Sequence, residues 1–286
     1  MGDIVLQGLF VGGLYALIAL GFVMIFKASM VLNLAYGEMI LILSYFFYFL
    51  LETSGVPLGA AIPILFISGA ALGFIVERLA IRPLLGQSFL SILMMTLMLG
   101  FLFKGITVFI WGGESFSYDF TPAGMINIGS WQILPAAMYA FIVALGIFLL
   151  MLFLFRYTRV GLAMRVVAAD HHVSQSLGIR VKRIFSLSWV ISGVVAVVCA
   201  ILVGMVWMVT PEMGDIALGK GLPVLLLGGM DSIPGALVGG LIIGLVESLG
   251  GYWGGGIREI VPWIVMLLIL LVRPWGMFGQ RRIERI

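Results

Sequence analysis

The sequence predicts an all-α, polytopic integral membrane protein of about eight membrane segments, one of them a Gly/Pro-broken re-entrant or discontinuous segment. Three observations carry that expectation. Hydrophobic residues make up 62% of the 286-residue chain and charged residues 10%, where a soluble domain carries about 25% charge; the mean hydropathy is +1.21. Apolar runs long enough to cross a bilayer recur from end to end. The basic residues gather in loops beside those runs, so the net charge of +3 is a topology signal and not a nucleic-acid footprint. Thirty-eight glycines suit helices packed backbone to backbone in lipid, and the single Cys199 leaves no intramolecular disulfide. The first apolar run lacks the basic leader of a signal peptide. With no extension of domain size at either end, ATP hydrolysis and ligand capture are expected on other chains.

The first span, about Ile4 to Phe26, is roughly 35 Å long as a helix. Gly8, Gly12, Ala16 and Ala19 form a small-residue stripe suited to helix packing, with lining of a solute path as the alternative. Lys27 marks its cytoplasmic end. Asn33, Tyr36 and Glu38 stand at the mouth of the second span, Met39 to Leu51. Polar groups there invite a functional reading, against one in which Asn33 caps the helix and Glu38 suits its dipole. The third span, about Pro57 to Val76, ends in Glu77, Arg78 and Arg82, pointing inward. Phe89 to Trp111 is the fourth, interrupted by Lys104. That lysine either meets a carboxylate inside the bundle or, as its place near the span's end favours, snorkels to the interface. The loop Gly112 to Trp131 holds Glu114 and Asp119 but no Lys or Arg, so it faces outside, with Trp111 and Trp131 as interfacial anchors.

A fifth span, about Ile133 to Phe155, enters a basic loop, and a sixth, about Phe185 to Met208, leaves it. This loop, Arg156 to Ile184, holds Arg156, Arg159, Arg165, Arg180, Lys182 and Arg183, six of the chain's sixteen Lys and Arg, and is expected in the cytoplasm. Within it Leu162, Val166, Ala169 and Val173 recur at helical spacing, which predicts a short amphipathic helix offered to a soluble partner. Thr210 to Lys220 returns to the outer face. Gly221 to Gly250 then breaks in mid-run at Gly228 to Gly235, a feature tolerated at membrane depth only where protein or water satisfies the freed backbone. The last span, about Ile260 to Val272, precedes the basic tail Arg281, Arg282 and Arg285. Keeping that tail inside requires the broken stretch to re-enter from the outer face or to cross twice as two pieces. Re-entry is preferred, because each half offers only about ten to fourteen apolar residues.

No enzyme constellation is present. Asp170, His171 and His172 lack a further histidine for a zinc site, and adjacent histidines diverge on a helix. Gly219-Lys220-Gly221 lacks the remainder of a phosphate loop. Scarce charge within spans, Glu247 excepted, argues against ion coupling. A neutral or zwitterionic solute would be handled by Asn33, Tyr36, Glu38 and Thr96, and by Gly229, Asp231, Ser232, Pro234 and Gly235 of the break. On the residues alone, a stand-alone secondary transporter or channel for a small neutral or zwitterionic solute stays open.

The set Asn33-Leu-Ala-Tyr-Gly-Glu38, Thr158-Arg-Val-Gly-Leu-Ala-Met-Arg165, Ser176-Leu-Gly-Ile179, Gly228-Gly-Met-Asp-Ser-Ile-Pro-Gly-Ala236 and Val272-Arg-Pro-Trp-Gly-Met-Phe-Gly279 resembles the permease subunits of branched-chain amino acid ABC importers, the shorter of the two paired types. The chain departs from the family's common pattern at Leu34, Tyr36 and Lys27. The resemblance implies a single permease domain over 1–286 in a bacterial-type inner membrane, its basic loop and C-terminus cytoplasmic. It also implies a second, different and longer permease, two ATPase subunits that use ATP and Mg, and an extracytoplasmic solute-binding protein, with no cofactor on this chain. In that setting Arg159, Gly161, Met164, Arg165, Val167, Asp170, Leu177 and Gly178 would form the ATPase-coupling surface. Met164, Val167 and Leu177 would fill a groove on the ATPase, and Arg165 and Asp170 would orient it.

Overall fold

The computed structural model describes residues 2–279 except 123, 129, 130 and 170. The elements are α1 (Gly2–Ser29), α2 (Tyr36–Tyr48), α3 (Leu58–Ile75), α4 (Phe89–Trp111), a strand pair β1 (Ile126–Ile128) and β2 (Trp131–Ile133), α5 (Pro135–Tyr157), α6 (Arg159–Ala169), α7 (His171–Ser176), α8 (Val181–Val206), α9 (Met213–Gly228), α10 (Ile233–Trp253) and α11 (Gly255–Val272). A π-helical turn, Phe49–Thr53, extends α2, and a π-helical and a 3-10 turn carry α3 on to Leu84. Among the described residues, seven helices are long and apolar enough to cross a membrane. The chain is thus an all-α polytopic membrane protein; the one strand pair is a three-residue antiparallel hairpin in the loop before α5.

The Gly221 to Gly250 stretch corrects one expectation. Its second half is not short: α10 runs 21 residues to Trp253, long enough to span alone. The first half belongs to α9, which starts back at Met213 and has 16 residues, about 24 Å at 1.5 Å per residue. The break is therefore a junction between a short helix and a full one, not two equal stubs.

The chain forms two compact units with interleaved segments. One comprises the chain up to Val23, Pro122–Leu149 and the chain from Gly219; the other comprises Met24–Thr121 and Leu150–Leu218. In the first, the small-residue stripe of α1 does pack: Gly8 and Gly12 lie against Gly244 and Gly240 of α10, so close that a Cβ on Gly12 would sit 2.7 Å from the Gly240 carbonyl oxygen. The second unit repeats the device, with Gly69 and Gly73 of α3 against Gly193 and Trp189 of α8. Backbones this close gain dispersion contacts that lipid cannot replace. Larger side chains, Trp189, Tyr45 and Phe47, fill the buried space alongside.

In this second unit the acidic loop is tied down by aromatic rings. Phe116 stacks on Tyr48 at 4.1 Å, Tyr118 packs edge-on to Phe47, and Phe116 and Val209 exchange two backbone hydrogen bonds. The Tyr118 hydroxyl donates toward the Ser44 carbonyl at 3.2 Å, and burial pushes its ionisation well above the usual phenol range. Trp111, expected as an interfacial anchor, is at the end of α4 with its ring 6.1 Å from Tyr45; the Trp131 side chain lies outside the described residues.

Candidate functional site

Three groups of candidate residues can be followed in the structure. The first lies in the second unit, at the middle of α4. Helix α1 ends at Ser29, Met30 adopts φ 58, and residues 31–35 run irregularly before α2 begins. Free backbone groups in that stretch are met by side chains. Thr96 Oγ1 accepts from the Leu34 N–H at 3.2 Å and donates between the carbonyls of Leu93 (2.8 Å) and Leu32 (3.3 Å). Asn33, 1% exposed, accepts from the Ala35 N–H at 3.1 Å. It bends the chain just ahead of α2 and is not the cap, which is Ala35, without a side-chain acceptor. Tyr36 is fully buried, directed at Ser192 and Cys199 of α8.

Glu38 is buried in the first turn of α2, with 7% of its surface exposed. Its Cγ and the Ala35 Cα lie 3.6 Å from where a side chain on Gly100 would start. Gly100 is the midpoint of the 23-residue α4, so this site is at mid-span. The Glu38 carboxyl presses on Gly214 in the first turn of α9, where no side chain would fit, and its Oε2 has no hydrogen-bond partner among the described residues. Beside it Lys104 pairs with Asp215. The snorkelling preferred from sequence is thereby corrected: a carboxylate within reach at the same level outcompetes the interface. Asn33, Tyr36, Glu38 and Thr96 are thus brought together, and Lys104, Asp215 and Gly214 join them. Asp215 was legible only as a loop charge, because the start of α9 inside the unit leaves no periodicity signal.

The second group is the break, in the first unit. Ser232 caps α10, accepting from the Gly235 N–H at 3.0 Å, and Pro234 occupies the first turn, where its missing N–H costs nothing. Gly229 takes φ +101, in the left-handed region. Asp231 is partly exposed between them. The tail closes over the break: Met277 and Phe278 donate backbone hydrogen bonds of 2.8 and 3.0 Å to the carbonyls of Leu227 and Gly228, the last of α9. Two motifs whose bonded residues stand 50 positions apart in sequence therefore form one local structure, a link no spacing rule reveals. In the same unit the buried Glu247 faces Lys220 at 3.2 Å and Arg258 at 3.1 Å.

The third group is the basic elbow of the second unit. Thr158 accepts from the Gly161 N–H at 3.1 Å and starts α6 against the last turn of α5, where a Cβ at Gly161 would collide with Phe155. Gly178, φ +78, ends α7. Met164 and Val167 are fully buried, and Val167 packs on Val181 and Phe185 of α8. They do not face a partner's groove, which corrects that assignment: this side of α6 is the one that closes the chain's own core. Leu162 and Leu177 (54% and 67% exposed), with Arg159 and Arg165, face outward. Asp170 lies outside the described residues. Glu77, read from sequence only as flanking charge, is buried and holds Arg82 through two bonds of 2.9 and 3.0 Å while accepting from Ser186, which ties α3 to the start of α8 beside the elbow.

Residues 4–272 match the family described as branched-chain amino acid transport system / permease component. The chain belongs to this permease family. It is 30% identical to the high-affinity branched-chain amino acid transport system permease protein LivH of Salmonella typhimurium, over 98% of this chain and 96% of that one. It is 31% identical, with the same coverage, to the permease protein BraD of Pseudomonas aeruginosa. A probable permease LivH of Methanocaldococcus jannaschii is 30% identical over 96% of this chain and 92% of its own length. The permease is accordingly a multi-pass membrane transport subunit and not an enzyme. Its family match takes in the mid-span group, the elbow and the break, and stops at Val272, where the capping tail begins.

Proposed function

We propose that this permease carries branched-chain or closely related amino acids inward as one subunit of an ATP-driven importer. The near end-to-end likeness to permeases named for branched-chain amino acid transport supports this best. A second, longer permease completes the path, two ATPase subunits supply the work from ATP and Mg, and an extracytoplasmic binding protein delivers the solute. The basic loop 156–184 and the C-terminus are cytoplasmic. The ATPases grip the elbow through its outward side, Leu162, Arg165 and Leu177, with Arg159 and Asp170 beside them. Gly161 and Gly178 set its corners, and the buried Val167 locks it to α8 beside the buried Met164, so that a push on the elbow is passed into the bundle.

The solute path is lined by Asn33, Tyr36, Glu38 and Thr96. Gly229, Asp231, Ser232, Pro234 and Gly235 form a hinge whose tail-capped break bends as the subunits rock. The test is uptake of radiolabelled L-leucine by vesicles holding the complete transporter. Uptake is expected to need internal ATP and to persist when ion gradients are collapsed. Uptake by this chain alone, driven by an ion gradient, would instead establish the stand-alone secondary transporter.

A further inference from the structure

We propose that the face of the second unit carrying Lys104 and Asp215 lines the translocation path at mid-membrane, and that Glu38, Lys104 and Asp215 hold the ammonium and carboxylate of the amino acid there. This rests on the reading of the chain as an amino acid permease. Lys104 lies four residues from the midpoint of α4, about 6 Å along the axis. Its partner is nevertheless not buried: the Asp215 side chain is 61% exposed and that of Lys104 31%. Charged groups at this depth do not face hydrocarbon; they face a bundle interior, a partner subunit or a water-filled cavity. An exposed ion pair at mid-span therefore marks the side of the chain that is turned away from lipid.

The charges name the chemistry. Three carboxylates, Asp215, Glu38 and Glu212, act on one ammonium, and that ammonium is committed to Asp215. Glu38, more than nine-tenths buried, keeps one oxygen without a hydrogen-bond partner among the described residues and presses on the first turn of α9. The cluster is thus short of one cationic donor, which the α-ammonium of an amino acid supplies. The solute's carboxylate then exchanges with Asp215 for Lys104, with the N-terminal turn of α9 adding its positive dipole end, as at broken helices of other transporters. Because the solute is a zwitterion, no net charge is added at mid-membrane, and the displaced Asp215, already largely exposed, turns to water. One turn beyond Glu38 on α2, Ile42 borders an open, mostly apolar groove of about 240 Å³ with Leu43, Phe46, Ser68, Leu72 and Trp111, suited to an aliphatic side chain.

The test uses the complete transporter in vesicles with saturating leucine-loaded binding protein, reading L-leucine uptake and ATP hydrolysis together. Glu38→Gln and Lys104→Met are expected to lower leucine moved per ATP hydrolysed at least tenfold, with unchanged membrane levels. The double exchange Lys104→Asp with Asp215→Lys keeps an ion pair while inverting its polarity. It is expected to restore thermal stability but not uptake. Wild-type uptake from the double exchange, or an unchanged leucine-to-ATP ratio in Glu38→Gln, would overturn the assignment. A wild-type transporter that hydrolyses ATP but never moves L-leucine would instead overturn the permease reading beneath it.

Discussion

Two places in this chain interrupt a helix where an uninterrupted one would be cheaper, and they resolve the cost differently. At the junction of α9 and α10 the freed carbonyls of Leu227 and Gly228 are taken by the backbone of the tail, and the opening N–H groups by Ser232. At the start of α2, side chains do the work: Thr96 reaches in from α4, Asn33 folds back on its own turn, and Glu38 is left with an oxygen to spare. A break closed by backbone is a joint. A break closed by side chains, with a carboxylate left over, is the one to which we assign the solute.

The sharpest way to break that contrast is Gly235→Val. Gly235 and Gly228 touch backbone to backbone, so a branched side chain forces the joint apart. A loss of about 3 kcal/mol is expected from overpacking, seen as a lowered melting temperature of the purified permease. Removing the tail after Val272 takes away two backbone hydrogen bonds and uncovers Gly229, for a loss of about 2 kcal/mol at roughly 1 kcal/mol each. In the other break, Thr96→Val leaves the half-buried Leu34 N–H unsatisfied, costing about 1.5 kcal/mol and lowering uptake as well, where Gly235→Val and the truncation act through stability first. Glu38→Gln sharpens the contrast by its sign: with no cation bonded to it, loss of the charge leaves the melting temperature unchanged or raises stability by about 1 kcal/mol, while uptake falls. The smallest effect on stability belongs to Leu177→Ala at the exposed end of the elbow, under about 0.5 kcal/mol, with reduced co-purification of ATPase as its readout.

The architecture was legible because lipid imposes it. Composition, run length and loop charge suffice to read spans, and the glycine stripe of α1 correctly announced close packing with no partner in view. Depth and direction were harder. Met164 and Val167 share the short elbow helix with Leu162 and Arg165, and only the position of α8 decides which side is core. Lys104 lies near enough to a span's end to snorkel, and nothing local reveals that α9 starts early enough to offer Asp215. The α10 half of the broken stretch reads short in sequence because Glu247 and Ser248 interrupt its apolar run, though Lys220 and Arg258 compensate the carboxylate. Such pairings across the chain leave no trace in periodicity.

The mid-span face is tested most directly by access from water. In a Cys199→Ser background, which removes the buried native thiol, Asp215→Cys is introduced and the complete transporter is treated with a charged, membrane-impermeant methanethiosulfonate. Labelling is expected, slowed when leucine-loaded binding protein is present during turnover. Modification only by a lipid-soluble maleimide, with none by the charged reagent in any nucleotide state, would contradict the assignment of this face to the path.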